Sequence, residues 1–151
     1  MNDSAESRER LVMEYFDVAD GRKEGNLLEL FTDDAEVYFP KFGVGKGTES
    51  LVDLGQGLHR IVRSIQHQVD DFRIHHAGAI VIVEGTTRGE TADGLTWQGG
   101  VTISGRFCSV FETRGGKIAR MYIYLDPDYG GVDAGRYPWP GDGDHARSPS
   151  W

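Results

Sequence analysis

The chain holds a single cysteine, Cys108, among its 151 residues. That excludes an internal disulfide and any zinc site assembled from several thiolates. Cys108 lies in an alternating strand pattern and reads as a buried, inert thiol. Positive charge is also short. Sixteen Lys and Arg stand against 24 Asp and Glu, and the formal net charge of −8 argues against a nucleic-acid or anionic-membrane partner. No apolar run approaches a membrane span, and the first ten residues are polar with no signal core, so a cytoplasmic protein is expected. Several motifs are missing as well. There is no glycine-rich dinucleotide fingerprint, no Gly-x-Ser-x-Gly elbow and no His-Glu-x-x-His. Hydride transfer and serine or zinc hydrolysis are thereby disfavoured, and no cofactor and no metal is expected. Residues 43–47 are glycine-rich, but Lys46-Gly47 lacks the Lys-Ser/Thr pair of a phosphate loop, so they read as a flexible lead into a helix.

What is present is a soluble globular composition, 38% apolar and 26% charged, in a chain long enough for one ordinary domain. Proline is scarce up to residue 126, where Pro40 stands alone, and the other four of five follow it. The expected organisation is a domain over residues 1–126 and a Pro/Gly/aromatic-rich tail over 127–151. The tail reads either as a partly disordered segment or as one whose aromatics, Tyr129, Tyr137 and Trp139 among them, dock on the domain or on a neighbouring subunit, and docking is favoured.

Helical periods come first. Asp3 and Glu6 form a capping box for a helix whose Leu11, Val12, Tyr15, Phe16 and Ala19 make one apolar stripe. Asp20 falls at the edge of that stripe, and Gly21 ends the helix. Asn26 caps a short second helix from Leu27 to Phe31, closed by Asp33 and Asp34, and residues 35–39 read as a strand stopped by Pro40. Thr48 caps a third helix with Leu51, Leu54, Leu58, Ile61 and Val62 on one side. From Gln66 onward the period becomes two. Strands are predicted at about 66–76, 79–91, 96–112 and 117–126, with turns at Ala77-Gly78, Asp93-Gly94 and Gly115-Gly116. The fold class is therefore α+β: a curved antiparallel sheet forming a cone-shaped half-barrel, with the N-terminal helices packed across it. Such a shape leaves a blind pocket.

Asp20 and His67 lead the candidates for chemistry, because a carboxylate that holds an imidazole makes a general acid or base. Left to pattern alone, they also fit a solvated helix end and an exposed strand residue. Glu90 comes next, sharing strand parity with Ile80 and Ile82. His75 and His76 are adjacent and so point to opposite faces of a strand. Met121, Ile123 and Leu125 alternate with Tyr122 and Tyr124, and Phe107, Ser109 and Phe111 do likewise on the strand before. The first set is expected to line the concave face with Phe16 and Phe39, which suits a small hydrophobic or aromatic ligand. The tyrosines are expected outside, where they would pair a homo-oligomer, a dimer or a trimer.

Asp20-Gly21-Arg22, the phrase from Leu30 to Val37, His67 and Gly115-Gly116-Lys117-Ile118 resemble the nuclear transport factor 2-like superfamily. Within it the SnoaL-like branch is the best match, over roughly residues 8 to 126. The superfamily includes isomerases, dehydratases, cyclases, epoxide hydrolases and plain binding modules, so fold does not settle function. Residue matches narrow the choice. The ketosteroid-isomerase base position holds Phe39, and the carboxylate of limonene-type epoxide hydrolases falls at Ile123. Scytalone dehydratase and bile-acid dehydratase-like proteins place an aspartate and a histidine where Asp20 and His67 stand. The latter also have a helix tyrosine at Tyr15, and both have a second polar site near Glu90. The tyrosine on a strand of scytalone dehydratase falls at Phe39. The resemblance thus implies a cofactor-independent dehydratase or isomerase for a small, mostly apolar cyclic carbonyl compound, using Asp20, His67, Tyr15 and Glu90. A non-catalytic binding or assembly module and a polyketide-type cyclase are the alternatives.

Overall fold

Secondary structure follows the change of period, with instructive departures. A computed structural model describes residues 3–137. The first helix, α1, spans Ala5–Ala19. Its cap is Ser4, whose hydroxyl accepts from the Ser7 amide at 3.1 Å, rather than the expected Asp3. Asp3 instead accepts from the Arg8 guanidinium. Val12, Tyr15 and Phe16 are the buried face of the helix.

Asn26 caps as predicted, accepting from the Leu28 amide at 3.1 Å, but the helix is a single 3₁₀ turn, Leu27–Leu30. Strand β1 then begins earlier than expected, at Phe31, and runs to Phe39. The glycine-rich segment is no mere lead. Gly43–Lys46 forms an edge strand, β2, paired antiparallel with β1. Helix α2 covers Thr48–Leu58 with Gly47, at positive φ, in the capping position and no side-chain cap.

The expected strand over 66–76 is two strands. They are β3, Val62–His67, and β4, Arg73–Ala77, separated by a 3₁₀ turn at Val69–Asp71. His67 therefore closes a strand and does not open one. Strand β5, Ile80–Thr91, is long enough to pair with β4 along its first half and with β3 along its second. The expected strand over 96–112 is also split, into β6, Thr96–Gln98, and β7, Arg106–Arg114. Val101 and Ile103 mimic strand alternation, yet both are exposed in the intervening loop. Gly105, at φ +100, turns the chain beneath Trp97, where a Cβ would meet the Thr87 carbonyl at 2.7 Å. The last strand, β8, is Lys117–Leu125.

The strand order is β2-β1-β8-β7-β5-β3 with β4 and β6 also on β5. One pair corrects the all-antiparallel expectation: β1 runs parallel to β8, so the sheet is mixed. The two are joined by most of the chain, so the crossover carries no local turn signal. The architecture is the α+β cone, with α1 and α2 against the concave face and the sheet left unclosed as a barrel. Phe16 sits at the centre of the core, its ring 4.7 Å from Phe72, 5.7 Å from Phe111 and 5.9 Å from Phe107. Tilted and edge-on contacts of this kind are favourable between ring quadrupoles. Among the described residues no helix is long and apolar enough to cross a membrane.

The chain continues past β8 onto the domain. Tyr129 is buried and stacks on Trp97 with ring centroids 4.4 Å apart. Tyr137 is exposed, and Trp139 lies outside the described residues.

Candidate functional site

Asp20 ends α1 and His67 ends β3, and the fold brings these two ends together. The Asp20 Oδ1 lies 2.8 Å from His67 Nδ1, and Oδ2 accepts from the His67 backbone amide at 2.7 Å. The same Oδ2 accepts from Arg22 Nη1 at 2.7 Å. Gly21, at φ +75, reverses the chain so that Arg22 returns over the helix end and also bonds Asp17 at 2.9 Å. The Asp20 side chain is only 1% exposed.

Burial alone would push the Asp20 carboxyl up. The hydrogen bond and charge of His67, with the Arg22 bond, outweigh it and hold the group below its ordinary value. Asp20 is thus ionised and can only accept. In the neutral imidazole of His67, Nδ1 then carries the proton and Nε2 keeps its lone pair. The ring is held edge-on by Phe16 at 4.8 Å and Phe107 at 5.1 Å.

Both residues line a cavity of about 390 Å³ between the helices and the concave sheet face. Tyr15, Phe16, Phe39, Phe107, Ser109, Met121, Ile123 and Leu125 all belong to its wall, so every substrate-binding position expected from the sequence is brought there. Tyr15 is 9% exposed, and burial, then the Asp20 charge, then Tyr129 push its hydroxyl's pKa well up. It stays a protonated donor at neutral pH.

Glu90 is the exception. On β5 the buried side carries Val81, Val83 and Thr87, so parity with Ile80 and Ile82 places Glu90 on the other side. The structure leaves it out of the cavity wall, where its carboxylate accepts from Arg63 at 2.6 Å. The Cys108 expectation also needs correction: the thiol is only half-buried, on the side of β7 away from Phe107 and Ser109. Burial and then the charge of Glu84 raise its pKa. His75 meets Glu84 and His76 meets Glu9, each on its own face of β4. Among the described residues no three His, Cys, Asp or Glu side chains gather as a metal site.

Sequence reasoning passed over Arg22 as part of the site, although its two-residue spacing from Asp20 across a glycine was a readable turn signal. It also placed Tyr129 in the tail without assigning it to the cavity. Thr87, which accepts from the Trp97 indole at 3.0 Å, is another cavity residue not foreseen.

The model of the SnoaL-like domain matches residues 12–121. The chain belongs to the SnoaL-like domain family. No curated protein matches this SnoaL-like chain in sequence. Solved structures share its fold. A candidate polyketide cyclase from Pseudomonas putida KT2440 is 17% identical, with 81% of this chain and 93% of that one covered at a TM-score of 0.67. TerC, co-crystallised with polyporic acid, is 18% identical over 80% and 92% of the two chains, with a TM-score of 0.66. An LEH-like epoxide hydrolase from M. tuberculosis is 20% identical over 80% and 84%, with a TM-score of 0.61. At these identities the likeness speaks for the SnoaL-like fold and not for a shared reaction.

Proposed function

We propose that the protein is a lyase or isomerase acting on a small, mostly apolar cyclic carbonyl compound without a cofactor. The observation that carries this reading is the Asp20–His67 contact of 2.8 Å inside an apolar cavity. His67 Nε2 takes a proton from the carbon beside the carbonyl, and the C–H electron pair moves onto the carbonyl oxygen. Tyr15 donates a hydrogen bond to that oxygen. Asp20 stabilises the imidazolium that results. Preorganised donors in a dry site are worth far more to such an enolate than the same groups in water.

The intermediate then has three exits. In a dehydration, the electron pair returns to expel a hydroxyl from the next carbon, and the imidazolium proton leaves with it as water. In an isomerisation, that proton is delivered to a different carbon. In a polyketide-type cyclisation, the enolate carbon attacks a second carbonyl of the same molecule, and the alkoxide formed there takes the imidazolium proton. Dehydration or isomerisation is preferred because Asp20 and His67 stand where dehydratases of this fold place their aspartate and histidine. Glu90, outside the wall, is given no step.

A non-catalytic binding module of the same fold is the rival. TerC, a protein of this fold, crystallises with polyporic acid, which fits an organic occupant under either reading. The test is turnover of cyclic β-hydroxy ketones, followed by the absorbance of the enone formed on water loss. His67→Ala should lower it by about 10²–10⁴-fold, the usual scale of general acid–base loss. Undiminished turnover would overturn the assignment of His67, and binding with no turnover across such ketones would favour the rival.

A further inference from the structure

The SnoaL-like match ends at residue 121, and the chain then adds a segment that turns back onto the cone. This segment is built, not loosely laid. Asp126 accepts from the Asp128 amide at 2.9 Å, and Asp128 accepts from the amides of Val132 at 2.9 Å and Asp133 at 2.8 Å. Ser104 clamps it to the sheet side by donating to the Asp128 carbonyl at 2.8 Å. Two short turns and a cross-link of this kind fix the residue between them, which is Tyr129.

Tyr129 is 5% exposed and lines the same cavity as Asp20 and His67. Its ring stacks on Trp97 at 4.4 Å with 29° between the planes. Trp97 is anchored in turn by its indole N–H to Thr87 at 3.0 Å. Val62, Ile65 and Leu125 pack with the two rings. This cluster is separate from the one that holds Tyr15, Phe16 and Phe111, and the two meet at the cavity.

Among the described residues the Tyr129 hydroxyl has no hydrogen-bond partner. The hydroxyl is the accessible end of an otherwise buried ring in the cavity wall, so a ligand in the cavity can hydrogen-bond it. Burial keeps the phenol protonated, and so able both to donate and to accept.

We propose that Tyr129 contacts the substrate and sets its orientation, by hydrogen-bonding an oxygen other than the carbonyl served by His67 and Tyr15. The substrate class narrows accordingly, to cyclic or aromatic ketones that carry a second oxygen function on the ring system. This inference rests on the proposed ketone chemistry of the same cavity.

The test uses the full chain and four probes: 1-tetralone and its 5-, 6- and 7-hydroxy derivatives. Binding is measured by NMR titration, with nuclear Overhauser contacts to the Tyr129 ring as a second readout. At least one hydroxytetralone should bind about five-fold tighter than 1-tetralone, the scale of one net hydrogen bond. Tyr129→Phe, which keeps the stacked ring, should erase that preference, so that the hydroxytetralones bind no tighter than 1-tetralone. If the ketones bind but no hydroxyl is preferred, or the preference survives in Tyr129→Phe, the role of Tyr129 is overturned while the ketone reading stands. If none of the four binds, both fall together.

Discussion

One carboxylate, Asp20, holds His67 at two points: the ring through Nδ1 at 2.8 Å and the backbone amide at 2.7 Å. The imidazole is therefore fixed in both position and tautomer by a single side chain. Asp20→Asn keeps the shape and removes the charge. Turnover should fall with the chain still folded, because an amide no longer stabilises imidazolium and can favour the wrong tautomer. Circular dichroism alongside the assay separates the two effects, and full activity in Asp20→Asn would count against the pair.

The depressed carboxyl of Asp20 also bears on stability against pH. A group whose folded value lies below its unfolded one contributes stability above the unfolded value, about 3.9 for aspartate. That contribution is lost as pH falls through the lower folded value. Denaturant midpoints taken from pH 6 downward should converge for wild type and Asp20→Asn as the acid is reached. A gap that stays constant down to the most acid pH would contradict it.

Tyr15→Phe should separate function from stability. The side chain lines the cavity wall, and among the described residues no hydrogen bond to its hydroxyl is made. Its loss costs the fold little, and the melting temperature should hold or rise slightly. Turnover should fall with little change in ligand binding, since the hydroxyl serves the developing oxyanion. Equal losses in binding and rate would assign it to the ground state instead.

Glu90→Gln should leave turnover within about two-fold of wild type, the scale expected for a surface change. Its partner is Arg63 and not the cavity. A loss on the scale of His67→Ala would return Glu90 to the reaction.

The outer sheet face carries Tyr38, Tyr122 and Tyr124, with ring centroids 5.6 and 5.5 Å from Tyr38 to the other two. Tyr122 donates to Glu36, and Arg120 lies over its ring at 4.8 Å. We propose that this face joins copies of the chain into a dimer or trimer. Light scattering should give a multiple of 16.7 kDa, and Tyr124→Lys should shift it toward one copy. A monomer mass for the wild type at micromolar concentration would refute it.

What was legible in the sequence was what short-range pattern controls. The stripe of α1, the inward set on β7 and β8 and the end-of-helix position of Asp20 all follow from period and turn chemistry. What escaped depended on distant partners. The four-residue β2 has two glycines and no alternation, and only β1 makes it a strand. Glu90 was drawn to Ile80 and Ile82, whose parity proved to be the outer one, because Val81 and Val83 fill the core. Tyr129 looked like tail because its role arises from Trp97, which is 32 residues upstream and shows no matching period. Tyr129 joins the cavity through long-range contacts that no local pattern encodes, whereas Arg22 reaches Asp20 through a local turn.

The central claim is that His67 removes a proton from carbon beside a ketone. The most direct measurement is deuterium exchange into the α-position of 1-tetralone in D₂O, followed by proton NMR with wild type and His67→Ala at equal concentration. The proposed chemistry predicts exchange well above the buffer rate for the wild type and a return to near that rate for His67→Ala. Exchange that the wild type does not accelerate, or that His67→Ala accelerates equally, would contradict it.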